Sequence, residues 1–146
     1  MRTVVLAIVL MASYAYFYEG GGWNQNTRFD LVRAIVERHT VQIDAYHDNT
    51  GDQAHAGGHY YADKAPGASL TAVPPVLIVR AVLGALHVDV ASDRTIGALS
   101  YVATLAAAAV PATIAAVAVF LCSPGAGYIT GCDIRVDAGT LAALGL

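Results

Sequence analysis

The chain is poor in charged residues and in cysteine. Only 13% of its 146 residues are charged and 56% are hydrophobic, whereas a soluble domain carries roughly 25% charged residues. This shortage of charge points to a membrane protein. The net charge of -3 gives no electrostatic reason to expect nucleic-acid binding. Two cysteines, Cys122 and Cys132, define neither a zinc site nor a disulfide scaffold.

Three long hydrophobic segments follow one another along the chain. The first, residues 3–18, follows Arg2 and is at the short end of the roughly 17–25 residues that span a bilayer. It ends in an aromatic cluster that suits a membrane interface. We expect an uncleaved anchor, although Arg2 and the core at residues 4–10 also fit a cleaved signal peptide.

The other two segments differ in how well they fit a lipid environment. Residues 69–87 contain Pro74, Pro75 and Arg80, and a lone arginine within a span is costly unless it reaches polar surroundings. Residues 96–122 carry no charge and give the strongest prediction of a transmembrane helix, in which Pro111 is tolerated as a kink.

The polar block between the first two segments holds most of the groups that could perform chemistry. Its residues 26–38 have an amphipathic pattern, which predicts a helix capped by Asn26 or Thr27. The charged residues of this helix are expected off its apolar face; they are Asp30, Arg33, Glu37 and Arg38. Residues 41–43 alternate like a short strand, and residues 47–58 are rich in loop-forming residues.

These features predict a mainly α fold: a helical membrane protein with two or three transmembrane helices and an extracytoplasmic loop subdomain that consists of a helix and a small hairpin. We expect an anchor over residues 1–22, the loop subdomain over 23–68, a membrane helical hairpin over 69–122 and a separate tail over 123–146. With Arg2 inside, the protein would be a multi-pass inner-membrane protein whose first partner is the lipid bilayer.

Two runs in the polar block carry a family resemblance. They are Gln25-Asn26-Thr27-Arg28-Phe29 and, after a Tyr-Tyr pair, Asp63-Lys64-Ala65-Pro66. Over residues 3–120 the chain resembles the start of GT-C type membrane glycosyltransferases, which transfer a sugar from a polyprenyl-phosphate carrier. In that family an acidic dipeptide followed by Pro-Arg-Tyr opens the loop, and Glu-Lys-Pro-Pro closes it.

The resemblance implies roles for particular residues. Lys64 and Arg28 would bind the phosphate of a polyprenyl-phosphate-linked sugar, because both cations suit phosphate. The family's general base falls on Gln25 and Asn26, whose amides cannot accept a proton. We therefore expect a nearby carboxylate to substitute, with Asp63 and Asp44 as the candidates and Asp48 as a further one. A plain surface pair of Asp63 and Lys64 is the alternative.

Metal binding is not expected from the loop histidines. Two of them, His55 and His59, are four residues apart, but Gly57 and Gly58 between them oppose the helix that such a spacing requires. We predict no cofactor for this chain, and the resemblance leaves open a divalent metal ion in the complete enzyme.

The tail resembles a different family. The runs Tyr128-Ile129-Thr130-Gly131 and Val136-Asp137-Ala138-Gly139 are similar to the C-terminal end of short-chain dehydrogenases/reductases, and this similarity covers about residues 114–146. The glycine-rich cofactor turn of that family is absent, and its Tyr-x-x-x-Lys pair occurs only as Tyr60 and Lys64 in a glycine-rich loop. The tail therefore cannot act as a dehydrogenase.

The sequence is compatible with three hypotheses about function. The first is a fragment of a membrane glycosyltransferase, expected to be inactive alone because complete enzymes of this type have more spans. The second is a remnant or fusion of an NAD(P)-dependent short-chain dehydrogenase/reductase. The third is a small non-enzymatic membrane protein whose loop binds a partner.

Overall fold

The computed structural model describes residues 2–18 and 20–123, and this part of the chain is mainly helical. The predicted reductase-like end from residue 124 onward lies outside the described residues. In chain order the elements are α1 (Arg2–Tyr16), α2 (Trp23–Arg38), a 3-10 turn (His47–Asn49), β1 (Gln53–Ala56), β2 (His59–Ala62), α3 (Gly67–Ala85), α4 (Asp93–Thr104), a π-helical segment (Leu105–Ala109) and α5 (Val110–Leu121).

Two helical stretches are long and apolar enough to cross a membrane, by length and composition. One is α3, with 19 residues, and the other is the continuous helix Asp93–Leu121, with 29 residues. Pro111 lies near the start of α5, directly after the π-helical segment. A proline inside a helix lacks a donor and crowds the carbonyl four residues earlier, and the wider π turn accommodates both effects.

Helix α2 begins three residues earlier than predicted and is buried on more sides than expected. Gly22 occupies its N-cap without a side-chain hydrogen bond, so the predicted cap at Asn26 or Thr27 is wrong. The prediction that Asp30 lies on a polar face is also wrong, because this residue is only 1% exposed. The buried residues of α2 are Thr27, Phe29, Asp30, Leu31, Val32 and Ala34.

Two hydrophobic clusters on different sides of α2 explain this burial. On one side, Phe29 and Val32 pack against residues of α3 and α4; the other members are Ala72, Val76, Leu99 and Ala103. On another side, Leu31 and Ala34 pack against Ile43 from the segment that follows the helix. A helix held between two layers buries polar positions that a one-sided amphipathic pattern assigns to solvent.

The loop subdomain contains a small antiparallel hairpin. Strand β1 pairs with β2 so that Ala56 lies opposite His59, and Gly57 and Gly58 form the turn with positive φ angles of 59° and 83°. Such a two-residue turn favours glycine, which adopts positive φ without steric cost. The predicted loop is therefore partly strand, and the predicted strand at residues 41–43 is reduced to a single bridge from Gln42 to Tyr61.

Candidate functional site

The predicted phosphate ligand Lys64 is already neutralised by two carboxylates. Its Nζ lies 3.1 Å from Asp52 Oδ2 and 3.2 Å from Asp63 Oδ2. These two hydrogen bonds, with Asp52 contributing more, raise the pKa of Lys64. The structure thus brings Asp63 and Lys64 together, as predicted from their adjacency. A phosphate group would have to displace a carboxylate to reach this ammonium group.

Arg28, the second predicted phosphate ligand, makes its described contact within its own helix. Its Nε donates to Asn24 Oδ1 at 2.8 Å, one turn earlier on α2. Its backbone carbonyl accepts a hydrogen bond from Ser69 Oγ at 2.9 Å, which ties the start of α3 to α2. Arg28 therefore contributes to helix docking whether or not its side chain binds an anion.

Asp44, predicted as a catalytic base, is arranged as a structural carboxylate. Its Oδ1 accepts from the backbone N–H of Tyr60 at 2.7 Å, and its Oδ2 lies 2.7 Å from His59 Nδ1. The hydrogen bond from Tyr60 and then that from His59 lower the pKa of Asp44. A carboxylate with a lowered pKa is a poorer proton acceptor, so Asp44 is less suited to general-base chemistry than a buried acid.

The loop histidines surround an aromatic ring. His47 stacks on Tyr60 with ring centroids 4.0 Å apart, and His55 is tilted against the same ring at 4.9 Å. Within residues 2–18 and 20–123, no group of three or more His, Cys, Asp or Glu side chains is placed to hold a metal ion.

A cleft of about 380 Å³, which we call the Asp30 cleft, opens where the loop subdomain meets the start of α4. It is lined from α2, from the chain after α1, from the 3-10 turn and from the first two turns of α4. Its lining residues are Tyr18, Gly20, Gly21, Asn26, Phe29, Asp30, Arg33, Asn49, Asp93, Ile96, Gly97 and Ser100.

Asp30 is the chemically distinctive residue of this cleft. Its Oδ1 accepts a 3.2 Å hydrogen bond from Asn49 Nδ2, while its Oδ2 is buried without a hydrogen-bond partner in the described part of the chain. Burial raises the pKa of Asp30 to about 6, against the lowering effects of Asn49 and Arg33. A carboxyl group with a pKa in this range exchanges protons readily near neutral pH.

The amide at position 26 supports this carboxyl group indirectly. Asn26 Nδ2 donates to the backbone carbonyl of Asn49 at 2.7 Å, and Asn49 in turn donates to Asp30. Since Asn26 and Asp30 are one helical turn apart, they face the same cleft. Asn26 thus orients Asn49, whose side chain in turn contacts Asp30, one helical turn after Asn26.

The charge of the cleft is dominated by acids. Asp30 and Asp93 both line it, whereas its cation, Arg33, is engaged elsewhere. Arg33 Nε lies 3.3 Å from Glu37 Oε1, and its guanidinium lies 4.1 Å from the centroid of the Tyr46 ring. This excess of acidic over available basic side chains favours binding of hydroxyl groups or cations over binding of free phosphate.

A second, more apolar depression of about 330 Å³ adjoins the first. We call it the alanine groove, and Tyr18 lines both spaces. The groove runs between the end of α1 and the π-helical region; its lining residues are Tyr14, Phe17, Tyr18, Gln25, Thr104, Leu105, Ala108, Ala109 and Ala112.

The sequence patterns singled out Asp63, Lys64, Asp44 and Arg28 but not Asp30. One signal was present: Asp30 is an acid whose two sequence neighbours, Phe29 and Leu31, are both large and apolar. No protein-family model, curated protein or solved structure compared with this chain matches it.

Proposed function

We propose that this chain forms part of a membrane glycosyltransferase and supplies the wall of its active site that binds the acceptor. The observation that carries the proposal is the Asp30 carboxyl group in the wall of the Asp30 cleft, whose Oδ2 is buried without a hydrogen-bond partner in the described part of the chain. A proton acceptor with a pKa of about 6 suits the activation of a hydroxyl group at neutral pH.

The proposed reaction moves one glycosyl group. The acceptor oxygen forms a bond to the anomeric carbon, and the bond from that carbon to the phosphate oxygen of the polyprenyl carrier breaks. The phosphate leaves with the electron pair, and the acceptor proton passes to Asp30. In this proposal Asp30 performs the role that the sequence had suggested for Asp63 or Asp44.

The alanine groove supports a lipid-linked donor. A polyprenyl chain needs an apolar path beside the polar reaction centre, and Tyr18 lines both the groove and the cleft. Its small alanine side chains leave room against α1, and burying apolar surface there favours a hydrocarbon ligand. The roles of Lys64 and Arg28 at the donor phosphate stay predictions.

Donor binding tests this function without requiring turnover by the 146-residue chain. The chain is placed in lipid nanodiscs, and saturable binding of a polyprenyl-phosphate-linked sugar is followed through the fluorescence of Trp23, the single tryptophan. Ala108→Phe should fill the groove and weaken binding at least tenfold, whereas Ala91→Phe, in the connector before α4, should not, and both variants keep Trp23 as the single tryptophan. Absence of saturable donor binding would contradict the proposal.

A non-enzymatic membrane protein is the second candidate, and one observation favours it. Lys64 forms ion pairs with Asp52 and Asp63. Ion pairs of this kind are expected where charged side chains stabilise a surface and bind no phosphate. Saturable binding of a peptide or cation that is lost in Asp30→Asn, together with no donor binding, would favour this candidate. The reductase-related alternative rests on the tail outside the described residues.

A further inference from the structure

Helix α1 and the later part of the long helix form an antiparallel pair. The hydroxyl of Tyr101 donates to the carbonyl of Ala15 at 3.1 Å, and the hydroxyls of Tyr18 and Ser100 lie 3.2 Å apart. Away from these two contacts, toward the N-terminus of α1 and the C-terminus of the long helix, α1 packs against the π-helical segment and α5. The N-terminal end of α1 and the C-terminal end of α5 therefore lie at the same end of the molecule.

Helix α3 packs on α4 and on the π-helical segment that follows α4, so its first turns share the π-helical segment with α1. The connector between Ala85 and Asp93 turns the chain back, so that α3 lies antiparallel to α4. Since α1 and α3 are both antiparallel to the same long helix, they run in the same direction. Consecutive membrane spans joined by one loop run in opposite directions, so α1 and α3 cannot be consecutive spans in this arrangement.

The charged helix α2 accompanies α3 along most of its length. The two helices are joined near their starts by Ser69 and Arg28, and near their ends by Arg80 and Glu37, whose atoms lie 3.1 Å apart. If α3 crossed the hydrocarbon core, Arg33 and Glu37 would enter it as well. Each charge at the centre of a bilayer costs about 2.5–3.5 kcal/mol or more.

Exposed aromatic side chains mark a level along the antiparallel pair. Tyr16 is 82% exposed and Phe17 is 77% exposed, and both follow Ala15 at the level of Tyr101. Aromatic rings of this kind are enriched at membrane interfaces. On the far side of this level the exposed side chains are apolar, namely Val4, Val5, Ile8, Val9, Val110, Ile114 and Val119.

We infer that the hairpin of α1 and residues 101–121 crosses the bilayer and that α3 does not. The partner of the exposed apolar surface of this hairpin is lipid acyl chain, and the membrane surface lies near Tyr16 and Phe17. At about 1.5 Å per residue, residues 101–121 span the roughly 30 Å hydrocarbon core. The shorter α1 is matched by local thinning of the bilayer.

This topology differs from the predicted membrane helical hairpin over residues 69–122, and it does not rest on sugar transfer. It puts the connector after α3 on the same side of the membrane as the loop subdomain. It also puts the Asp30 cleft at the membrane surface, because Tyr18 and Ser100 line it.

The inference is tested by determining on which side of the membrane each of three single cysteines lies. All variants carry Cys132→Ser. One keeps the exposed native Cys122, and the other two combine Cys122→Ser with Asp48→Cys in the loop subdomain or with Asp89→Cys in the connector. Right-side-out and inverted membrane vesicles are then treated with a membrane-impermeant maleimide.

We expect the cysteines at positions 48 and 89 to react in vesicles of the same orientation, and Cys122 to react in the opposite one. Labelling at positions 48 and 89 in opposite orientations would show that α3 crosses, and labelling at positions 89 and 122 in the same orientation would show that the long helix does not cross. Either result would overturn the inference. Extraction of the chain by alkaline carbonate would overturn it as well, because no hairpin would then be embedded. None of these results would depend on whether a polyprenyl-phosphate donor binds.

Discussion

The side chain of Asn49 donates a 3.2 Å hydrogen bond to the buried carboxyl group of Asp30. The two residues are 19 positions apart, on the 3-10 turn and on α2. The bond holds one carboxyl oxygen and leaves the other without a partner in the described part of the chain. Burial outweighs this hydrogen bond and raises the pKa of Asp30 to about 6.

Asp30→Asn should make the free energy of unfolding less dependent on pH. The folded pKa of about 6 lies above the ordinary value of 3.8, so Asp30 contributes stability below pH 4 that is lost as the pH rises through 6. The full shift corresponds to about 3 kcal/mol. Urea unfolding in detergent micelles at pH 4, 6 and 8 should show this loss in the wild type and not in the variant.

The matched control for that experiment is Asp89→Asn, which changes an exposed carboxylate in the connector. It should leave the pH dependence as it is in the wild type. If Asp30→Asn retained the wild-type loss of stability between pH 4 and 8, another group would have to be its source.

Asn49→Ala should raise the pKa of Asp30 further. The hydrogen bond from Asn49 favours the ionised form, so its removal leaves desolvation opposed only by the charge of Arg33. Carbon-13 NMR of labelled aspartate would follow the titration directly. An Asp30 pKa that fell or stayed constant in this variant would show that Asn49 does not stabilise the carboxylate.

Much of the architecture was predictable because it depends on local composition. The apolar segments, the helix in the polar block and the glycine turn follow from residues close in sequence, such as Gly57 and Gly58. The burial of Asp30 was not predictable, because it requires α3 and the segment around Ile43 to cover two sides of α2. The partner of Arg80 could not be read from the pattern either, since Glu37 is 43 residues away.

Asp52→Asn should increase the affinity of the chain for a polyprenyl-phosphate donor if Lys64 is a phosphate ligand. The substitution removes one of the two carboxylates that hold Lys64 Nζ, so the ammonium group becomes more available to phosphate. We expect a several-fold tighter donor Kd in nanodiscs at low salt. Adding Lys64→Gln to the variant should abolish the gain, and a gain that persisted would assign the effect to another cation.

Arg80→Met and Glu37→Gln should each weaken the packing of α2 on α3. The pair is partly exposed, with side-chain exposures of 28% for Arg80 and 19% for Glu37, so a double-mutant cycle should give a coupling energy of about 1 kcal/mol or less. Glu37 also accepts a 3.0 Å hydrogen bond from Tyr46, which makes its substitution the more damaging one. Urea unfolding of the four proteins in detergent micelles measures the cycle. If α3 instead lay in lipid, Arg80→Met would remove a costly charge from the membrane and stabilise the protein, which is the opposite sign.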